Sequence, residues 1–306
     1  MIPKEYQEYE ESVTVAAVNF NPVWGNKAAT LEKIKNNIVA AAKIGSNIIA
    51  FPELALSGYE CGEETRREKM ACAVHEAGAE TIPGPSTDEI SRLTKDLDVY
   101  VLLGMPERDT YDPKKRYISV AVIGPEGVIG RYRKITIAPA PKWTEATCGF
   151  SPGNELPIFE TRYGPIGVQI CAAFWHIPEY TRILCHKGAR IIFNCTGSSS
   201  GPGKIERMSQ VNMTRGNESF VYAVSANLVG TEKTISYYGH SCIAGCSFPI
   251  PTRVFAEGGE AEEIVTATLS FDNLHSWWAV SDPKKMIDLD LVAREFAGLA
   301  KNRQSQ

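Results

Sequence analysis

The sequence lacks an excess of positive charge: 36 Asp and Glu outnumber 32 Lys and Arg, and the formal net charge is −4. This balance argues against nucleic acid as the main partner, because binding to phosphate groups depends on a basic surface. Long apolar runs are also missing, and the apolar segment at residues 13–20 is much too short to cross a bilayer. We therefore expect neither a nucleic-acid partner nor a membrane segment.

Signals for export and for metal binding are lacking as well. Residues 1–11 are acidic and polar, whereas a signal peptide is basic and then apolar. The eight cysteines are scattered, and the one close pair, Cys242 and Cys246, has no CxxC partner and no cluster of histidines nearby. These absences predict a cytoplasmic protein with reduced thiols, without a structural zinc site and without a metal or cofactor.

The pattern that is present is an alternation of buried strands and amphipathic helices. Strands are predicted at 13–19 and 47–51, and apolar residues at helical spacing lie between them, which makes a parallel βαβ unit. The second half of the chain repeats this order of strands and helices without repeating the amino-acid sequence. We therefore predict an α/β fold, a four-layer α-β-β-α sandwich with two mixed sheets. No linker separates the halves, so residues 1–306 are interpreted as a single domain.

One predicted strand ends on a cysteine. The segment 166–170 is rich in β-branched residues, Cys171 follows it, and Pro178 suits the first turn of the next helix. A side chain at the carboxyl end of a parallel strand lies where α/β proteins bind ligands. Position alone favours packing over catalysis, because free cysteine is among the most buried residue types.

A catalytic thiol needs a base and a positive group near the oxyanion. Among the five histidines only His176 lies near Cys171 in sequence, and a structural imidazole fits that position equally well. The alternative is a buried carboxylate with a lysine beside it: Glu53 and Lys134 both follow hydrophobic strands. Taken singly, Glu53 also suits a helix start and Lys134 a solvated charge.

Three ordered blocks resemble the nitrilase (carbon–nitrogen hydrolase) superfamily, in its amidase-like branch. The blocks are Phe51-Pro52-Glu53-Leu54, Gly130-Arg131-Tyr132-Arg133-Lys134 and Gly167-Val168-Gln169-Ile170-Cys171. The resemblance covers almost the whole chain. It implies Glu53 as general base, Lys134 as the cation that stabilises the oxyanion and Cys171 as nucleophile. Glu145 resembles the family's second, substrate-positioning glutamate, with a spacing to Phe150 one residue longer than expected.

Departures from the family pattern bear on the substrate. Ala172-Ala173 replace the residues that usually follow the cysteine in amidases. The Cys-Trp-Glu of nitrile-cleaving members and the arginines of carbamoyl-amino-acid hydrolases are both absent. Amide hydrolysis through a cysteine thioester, releasing ammonia or an amine, is therefore the leading hypothesis. The alternatives are N-carbamoyl amide hydrolysis, then nitrile hydrolysis, and a silent member of the fold that serves as a ligand-binding or scaffold protein.

The resemblance also implies a small-molecule amide or ureido substrate and self-association as a homodimer or a larger oligomer. The candidate pocket residues are Trp143, Ala172, Phe174 and Trp175. The C-terminal tail, about 274–306, is a candidate to cross to a neighbouring subunit. Its paired tryptophans, Trp277 and Trp278, are expected to be buried within the subunit or at an interface.

Overall fold

Two six-stranded mixed sheets lie face to face in the computed structural model of the chain, which describes residues 6–61, 72–137, 145 and 148–304. The strands of the first sheet are β1 Ser12–Asn19, β2 Ile48–Ala50, β3 Tyr100–Arg108, β4 Arg116–Gly124, β5 Gly127–Arg133 and β14 Glu263–Ser270. Their order is β14-β1-β2-β3-β4-β5. The central strands β1, β2 and β3 are parallel, and the remaining pairs are antiparallel.

The second sheet repeats this plan with residues from the second half. Its strands are β6 Ile158–Phe159, β7 Ile166–Ile170, β8 Ile191–Thr196, β9 Tyr222–Asn227, β12 Cys242–Ser247 and β13 Ile250–Glu257. Their order is β13-β12-β9-β8-β7-β6, with β7, β8 and β9 parallel. A small ribbon joins β10 Val229–Thr231 to β11 Ser236–Tyr238.

Helices flank the two sheets. The helices of the first half are α1 Lys27–Lys43, α2 Ala73–Gly78 and α3 Pro85–Leu97. Those of the second half are α4 Ala172–His176, α5 Pro178–His186, α6 Lys204–Ser219, α7 Phe271–Val280, α8 Pro283–Met286 and α9 Leu289–Gln304. Among the helices of the described ranges, none combines the length and the apolar character needed to cross a bilayer.

Three apolar layers hold these elements together. The layer between the sheets draws residues from both halves, such as Val15 and Leu102 from the first and Val168 and Phe193 from the second. A second layer packs α1 and α3 on the first sheet, and a third packs α4, α5 and α6 on the second sheet. The predicted four-layer α-β-β-α sandwich with two mixed sheets is therefore confirmed.

Local details differ from the sequence prediction at one helix start. The sequence predicts a capping box from Ser86, but α3 begins at Pro85 and its N-cap is Gly84. The Gly84 N–H donates to Thr87 Oγ1 at 2.8 Å, and Ser86 bonds instead to Glu80. Proline at the first helical position accounts for the shift, because its missing N–H needs no partner there.

The C-terminal segment divides into a buried and an exposed part. In α7, Leu274 and Trp278 are buried in the inner core, and Trp277 stacks on Phe220 with ring centroids 4.8 Å apart. The predicted burial is thus confirmed for Trp278, whereas Trp277 packs within the subunit but is only partly buried. Helix α9 is different, because apolar side chains along it, including Phe296, remain exposed in the single chain.

Gly104 lies where strand β3 approaches the segment after β2. A Cβ atom at Gly104 would overlap the carbonyl oxygen of Pro52, and the Gly104 carbonyl accepts the Leu56 N–H at 3.1 Å. Because Glu53 follows Pro52, this close approach positions the Glu53 side chain.

We expect Gly104→Ala to lower the free energy of unfolding by about 1–3 kcal/mol, because the backbone must shift to relieve the overlap. We also expect it to reduce kcat, since Glu53 moves with Pro52. Urea denaturation and steady-state kinetics measure the two effects. Gly298→Ala in α9 is the matched control, because a Cβ atom there would meet no other part of the described chain within 4 Å. Equal stability of the two variants would contradict this account.

Candidate active site

Glu53 is delivered by the first sheet. Strand β2 ends at Ala50, the Phe51 N–H still pairs with the Leu102 carbonyl at 2.9 Å, and the chain then turns, with Leu54 at a φ of 52°. The turn places the Glu53 side chain inside the protein, where none of it is exposed. Burial of a carboxylate without partners is costly, so the contacts of Glu53 decide what it can do.

Lys134 is the principal partner of Glu53. It directly follows β5, its N–H donates to the Ile118 carbonyl at 2.8 Å, and its carbonyl accepts the Gly153 N–H at 2.8 Å. The side chain is fully buried, and Nζ donates to Glu53 Oε1 at 2.6 Å and to Glu145 Oε1 at 2.6 Å. One ammonium therefore joins two buried carboxylates.

Glu145 completes this arrangement from another part of the chain. Its carboxylate is buried and accepts a hydrogen bond from the Tyr59 hydroxyl at 2.7 Å. Its backbone carbonyl accepts the Phe150 N–H at 3.2 Å. The position predicted from the loop before Phe150 thus lies beside Lys134, in spite of the longer spacing.

Cys171 is delivered by the second sheet. It follows β7, and its φ of 50° lies in the left-handed region that residues other than glycine seldom adopt. Its N–H donates to Asn194 Oδ1 at 3.0 Å, and its carbonyl accepts the N–H groups of Phe174 and Trp175. The sharp turn between strand and helix directs the thiol to the end of the sheet, and part of the residue is exposed.

The charges in the site act on one another. Burial raises the pKa of Glu53, Lys134 lowers it and Glu145 raises it, with a net increase. Burial alone would lower the pKa of Lys134, but Glu53 and Glu145 reverse this and hold it above its usual value. Burial of the thiol and the charge of Glu53 raise the pKa of Cys171 to about 11, against the opposing effect of Lys134. At neutral pH the thiol is thus protonated and Lys134 is charged.

The candidate pocket residues have different environments. Ala172 is half-buried beside Cys171. Phe174 has no exposed surface, packs against Trp175 with ring centroids 5.3 Å apart and belongs to the outer core. Trp175 is also largely buried, and Arg207 lies over its ring at 5.0 Å. Trp143 lies outside the described residues.

Several groups in the site were missed by sequence reasoning. The Gly197 N–H donates to Glu53 Oε2 at 3.1 Å, and Asn194, near the end of β8, accepts from Cys171. Glu232 accepts the Tyr59 N–H at 2.9 Å and so helps to place the tyrosine that contacts Glu145. A polar residue at the end of a buried strand was the available signal for Asn194. For Gly197 and Glu232 the sequence carries no such signal.

A comparison with models of protein families identifies the family of this chain. The family model described as carbon-nitrogen hydrolase matches residues 14–279. The chain belongs to the carbon–nitrogen hydrolase family. This confirms both the predicted resemblance and the predicted enzyme class, hydrolases that act on carbon–nitrogen bonds other than peptide bonds.

Individual relatives within the carbon–nitrogen hydrolases agree with this affiliation. A probable nitrilase of Schizosaccharomyces pombe is 30% identical over 264 residues, covering 85% of this chain and 89% of the relative. The N-carbamoylputrescine amidase of Solanum lycopersicum is 30% identical over 297 residues, covering 90% and 93%. The crystal structure of Nit3 from Saccharomyces cerevisiae is similar in fold, with a TM-score of 0.75, 21% identity and coverage of 90% and 96%.

Proposed function

We propose that the protein hydrolyses a small non-peptide amide through a thioester on Cys171. The observation that carries this proposal is the buried Lys134 ammonium, which contacts Glu53 and Glu145 at 2.6 Å each and interacts electrostatically with the Cys171 thiol. A base, a cation and a sulfur nucleophile are the groups that covalent hydrolysis of an amide requires.

In the first half of the reaction, Glu53 accepts the thiol proton as Cys171 Sγ attacks the amide carbonyl carbon. The raised pKa of Glu53 suits this transfer, because a stronger base matches a weakly acidic thiol better. The carbonyl oxygen becomes an oxyanion, which Lys134 stabilises. Glu53 then gives its proton to the leaving nitrogen, the C–N bond breaks, and ammonia or an amine departs from the thioester.

In the second half, water takes the place of the amine. Glu53 accepts a proton from the water as its oxygen attacks the thioester carbonyl carbon, and the C–S bond then breaks. The Cys171 sulfur regains the proton and the carboxylic acid leaves. Glu145, held by Lys134 and Tyr59, positions the substrate in this scheme.

The choice of amide over nitrile or carbamoyl substrates is supported by the residues beside the nucleophile. Ala172 and Ala173 offer neither the acid found in nitrile-cleaving members nor an arginine that would bind a carboxylate. Hydrolysis of an N-carbamoyl amide is the second candidate, because the tomato relative of that name aligns over 90% of this chain.

A panel of simple amides, ureido compounds and nitriles tests the proposal. We expect ammonia from the amides, with no carbon dioxide and slow or no turnover of the nitriles. Ammonia and carbon dioxide in equal amounts would instead identify a carbamoyl hydrolase, and acid formed only from nitriles would identify a nitrilase. The Cys171→Ala variant, assayed in parallel, removes any contribution from contaminating enzymes.

We also propose that the chain is one domain that self-associates. The inner core shared by both halves supports the single domain. The apolar side chains exposed along α9, Leu291, Phe296 and Leu299, support a contact with a second copy through the end of the tail. The part of the tail in α7 packs on its own subunit, so the segment proposed to cross is shorter than about 274–306.

A further inference from the structure

Four side chains of metal-binding type meet near Glu145, outside the group that performs the proposed reaction. They are Cys61, Cys72, His75 and Cys148, and each is exposed by 1% or less. One ligand atom from each residue can be chosen so that all four atoms lie within 4.8 Å of one another. Three sulfurs and one imidazole nitrogen therefore lie close enough together to bind one ion.

We propose that Cys61, Cys72, His75 and Cys148 form a structural zinc site. Three cysteines and one histidine are a donor set typical of tetrahedral structural zinc, with bonds of about 2.3 Å to sulfur and about 2.0 Å to nitrogen. Such a tetrahedron separates its sulfur atoms by about 3.8 Å, so the Cys61 and Cys148 sulfurs, which lie within bonding distance, must move apart when the ion binds. Binding of the ion displaces the three thiol protons, so the ligands are thiolates.

The orientation of His75 supports this assignment. Its Nε2 lies 3.1 Å from the Gly58 carbonyl oxygen, which can only accept a hydrogen bond, so Nε2 carries the proton. The unprotonated Nδ1 therefore faces the cluster, 3.2 Å from Cys61 Sγ. A histidine that binds a metal usually donates its other N–H to a carbonyl or carboxylate in this way.

A buried guanidinium lies beside the cluster. The Arg116 guanidinium donates to the Cys148 carbonyl at 3.4 Å. Three thiolates with one Zn²⁺ carry a net charge of −1, and Arg116, which also forms an ion pair with Glu76, is the cation beside this charge.

A disulfide is the competing interpretation, because the Cys61 and Cys148 sulfurs lie within bonding distance. In that interpretation the expectation of reduced thiols would not hold for this pair. The Cα atoms of Cys61 and Cys148 are 7.3 Å apart, beyond the usual range for a disulfide, which ends near about 6.8 Å. A disulfide also leaves the convergence of Cys72 and His75 on the same point unexplained.

The ion would join three segments that are distant in sequence. Cys61 follows Tyr59, Cys148 follows Glu145, and Tyr59 and Glu145 are hydrogen-bonded at 2.7 Å. Because all four positions are filled by protein ligands, the ion has no open position for a substrate and its role is structural. The ion thus holds the loop that carries Glu145 without taking part in the reaction. The zinc proposal does not depend on the proposed amide hydrolysis.

Metal analysis of the purified protein tests the proposal directly. The full chain is purified without chelators, its zinc is measured by mass spectrometry, and its thiols are counted after denaturation with a chelator but without reductant. We expect one zinc per chain and all eight thiols. Six thiols without zinc would show the disulfide, and eight thiols without zinc would show four unligated side chains; either result overturns the proposal.

Variants then assign the ligands. We expect Cys72→Ser and His75→Asn to lower the zinc content at least about tenfold. Cys242→Ala, a buried cysteine of β12 outside the cluster, is the control that should retain one zinc. Full zinc content in both ligand variants would also overturn the proposal. Should a variant fail to fold, the metal content and thiol count of the unmodified protein still decide the question.

Discussion

Cys171→Ala is expected to lower kcat/KM for amide hydrolysis by at least about 10⁴-fold, since removal of a nucleophile eliminates the covalent route. The fold should persist, because the side chain is small and the residue is only half-buried. Steady-state ammonia release measures the first effect, and thermal unfolding measures the second. Intact mass spectrometry of the unmodified protein, quenched during turnover, should show an acyl adduct that the variant lacks.

The control is another cysteine with a similar side-chain loss. Cys185→Ala removes a buried thiol from α5 and should leave kcat unchanged. Alkylation with iodoacetamide provides an independent comparison: Cys171 is the only free cysteine in the described part of the chain that is not buried, so it should be modified first. Its rate should rise with pH towards a pKa of about 11, because the thiolate is the reactive form. More than a tenth of normal activity in Cys171→Ala would refute the thioester mechanism.

Lys134→Met is expected to damage both catalysis and stability. Loss of the cation that stabilises the oxyanion should lower kcat by about 10²–10³-fold. The variant also leaves Glu53 and Glu145 buried without their shared partner, and breaking a buried ion pair in this way costs about 3–5 kcal/mol. Amide kinetics and urea denaturation measure the two losses separately.

The pH dependence of the Lys134→Met variant has a defined sign. Lys134 lowers the pKa of Glu53, so its removal raises that pKa further above the ordinary value. Residual activity, which needs the Glu53 carboxylate, should therefore be lost at a higher pH on acidification than in the unmodified enzyme. An unchanged acid limb would show that Glu53 is not the group that titrates.

A double variant separates stability from catalysis. Glu145→Gln added to Lys134→Met removes one of the two carboxylates that lose the Lys134 ammonium and should recover part of the lost stability, without recovering kcat. Lys301→Met, at an exposed position of α9, is the matched control for the loss of a lysine and should change neither quantity. Recovery of kcat in the double variant would assign Lys134 a purely structural role.

Much of the site could be predicted because its residues lie at the ends of strands. The β-branched run of 166–170 marks a buried strand in the sequence, and Cys171 and Glu53 follow strands with parallel neighbours. Side chains at such positions gather at one end of a sheet. The short sequence distance from Cys171 predicts Phe174 in the pocket, whereas in the structure Phe174 belongs to the outer core, against which Cys171 also packs.

By itself the sequence determined the order of the strands and helices, the α/β class and the family to which the chain belongs. These depend on local periodicity, on turn residues and on short motifs that can be identified within a few positions. The tertiary structure alone decided that Lys134 joins Glu53 to Glu145 and that Cys61 approaches Cys148 across 87 residues. The physical reason is that such contacts depend on how the two sheets and their loops pack, and local structural propensity does not encode that packing.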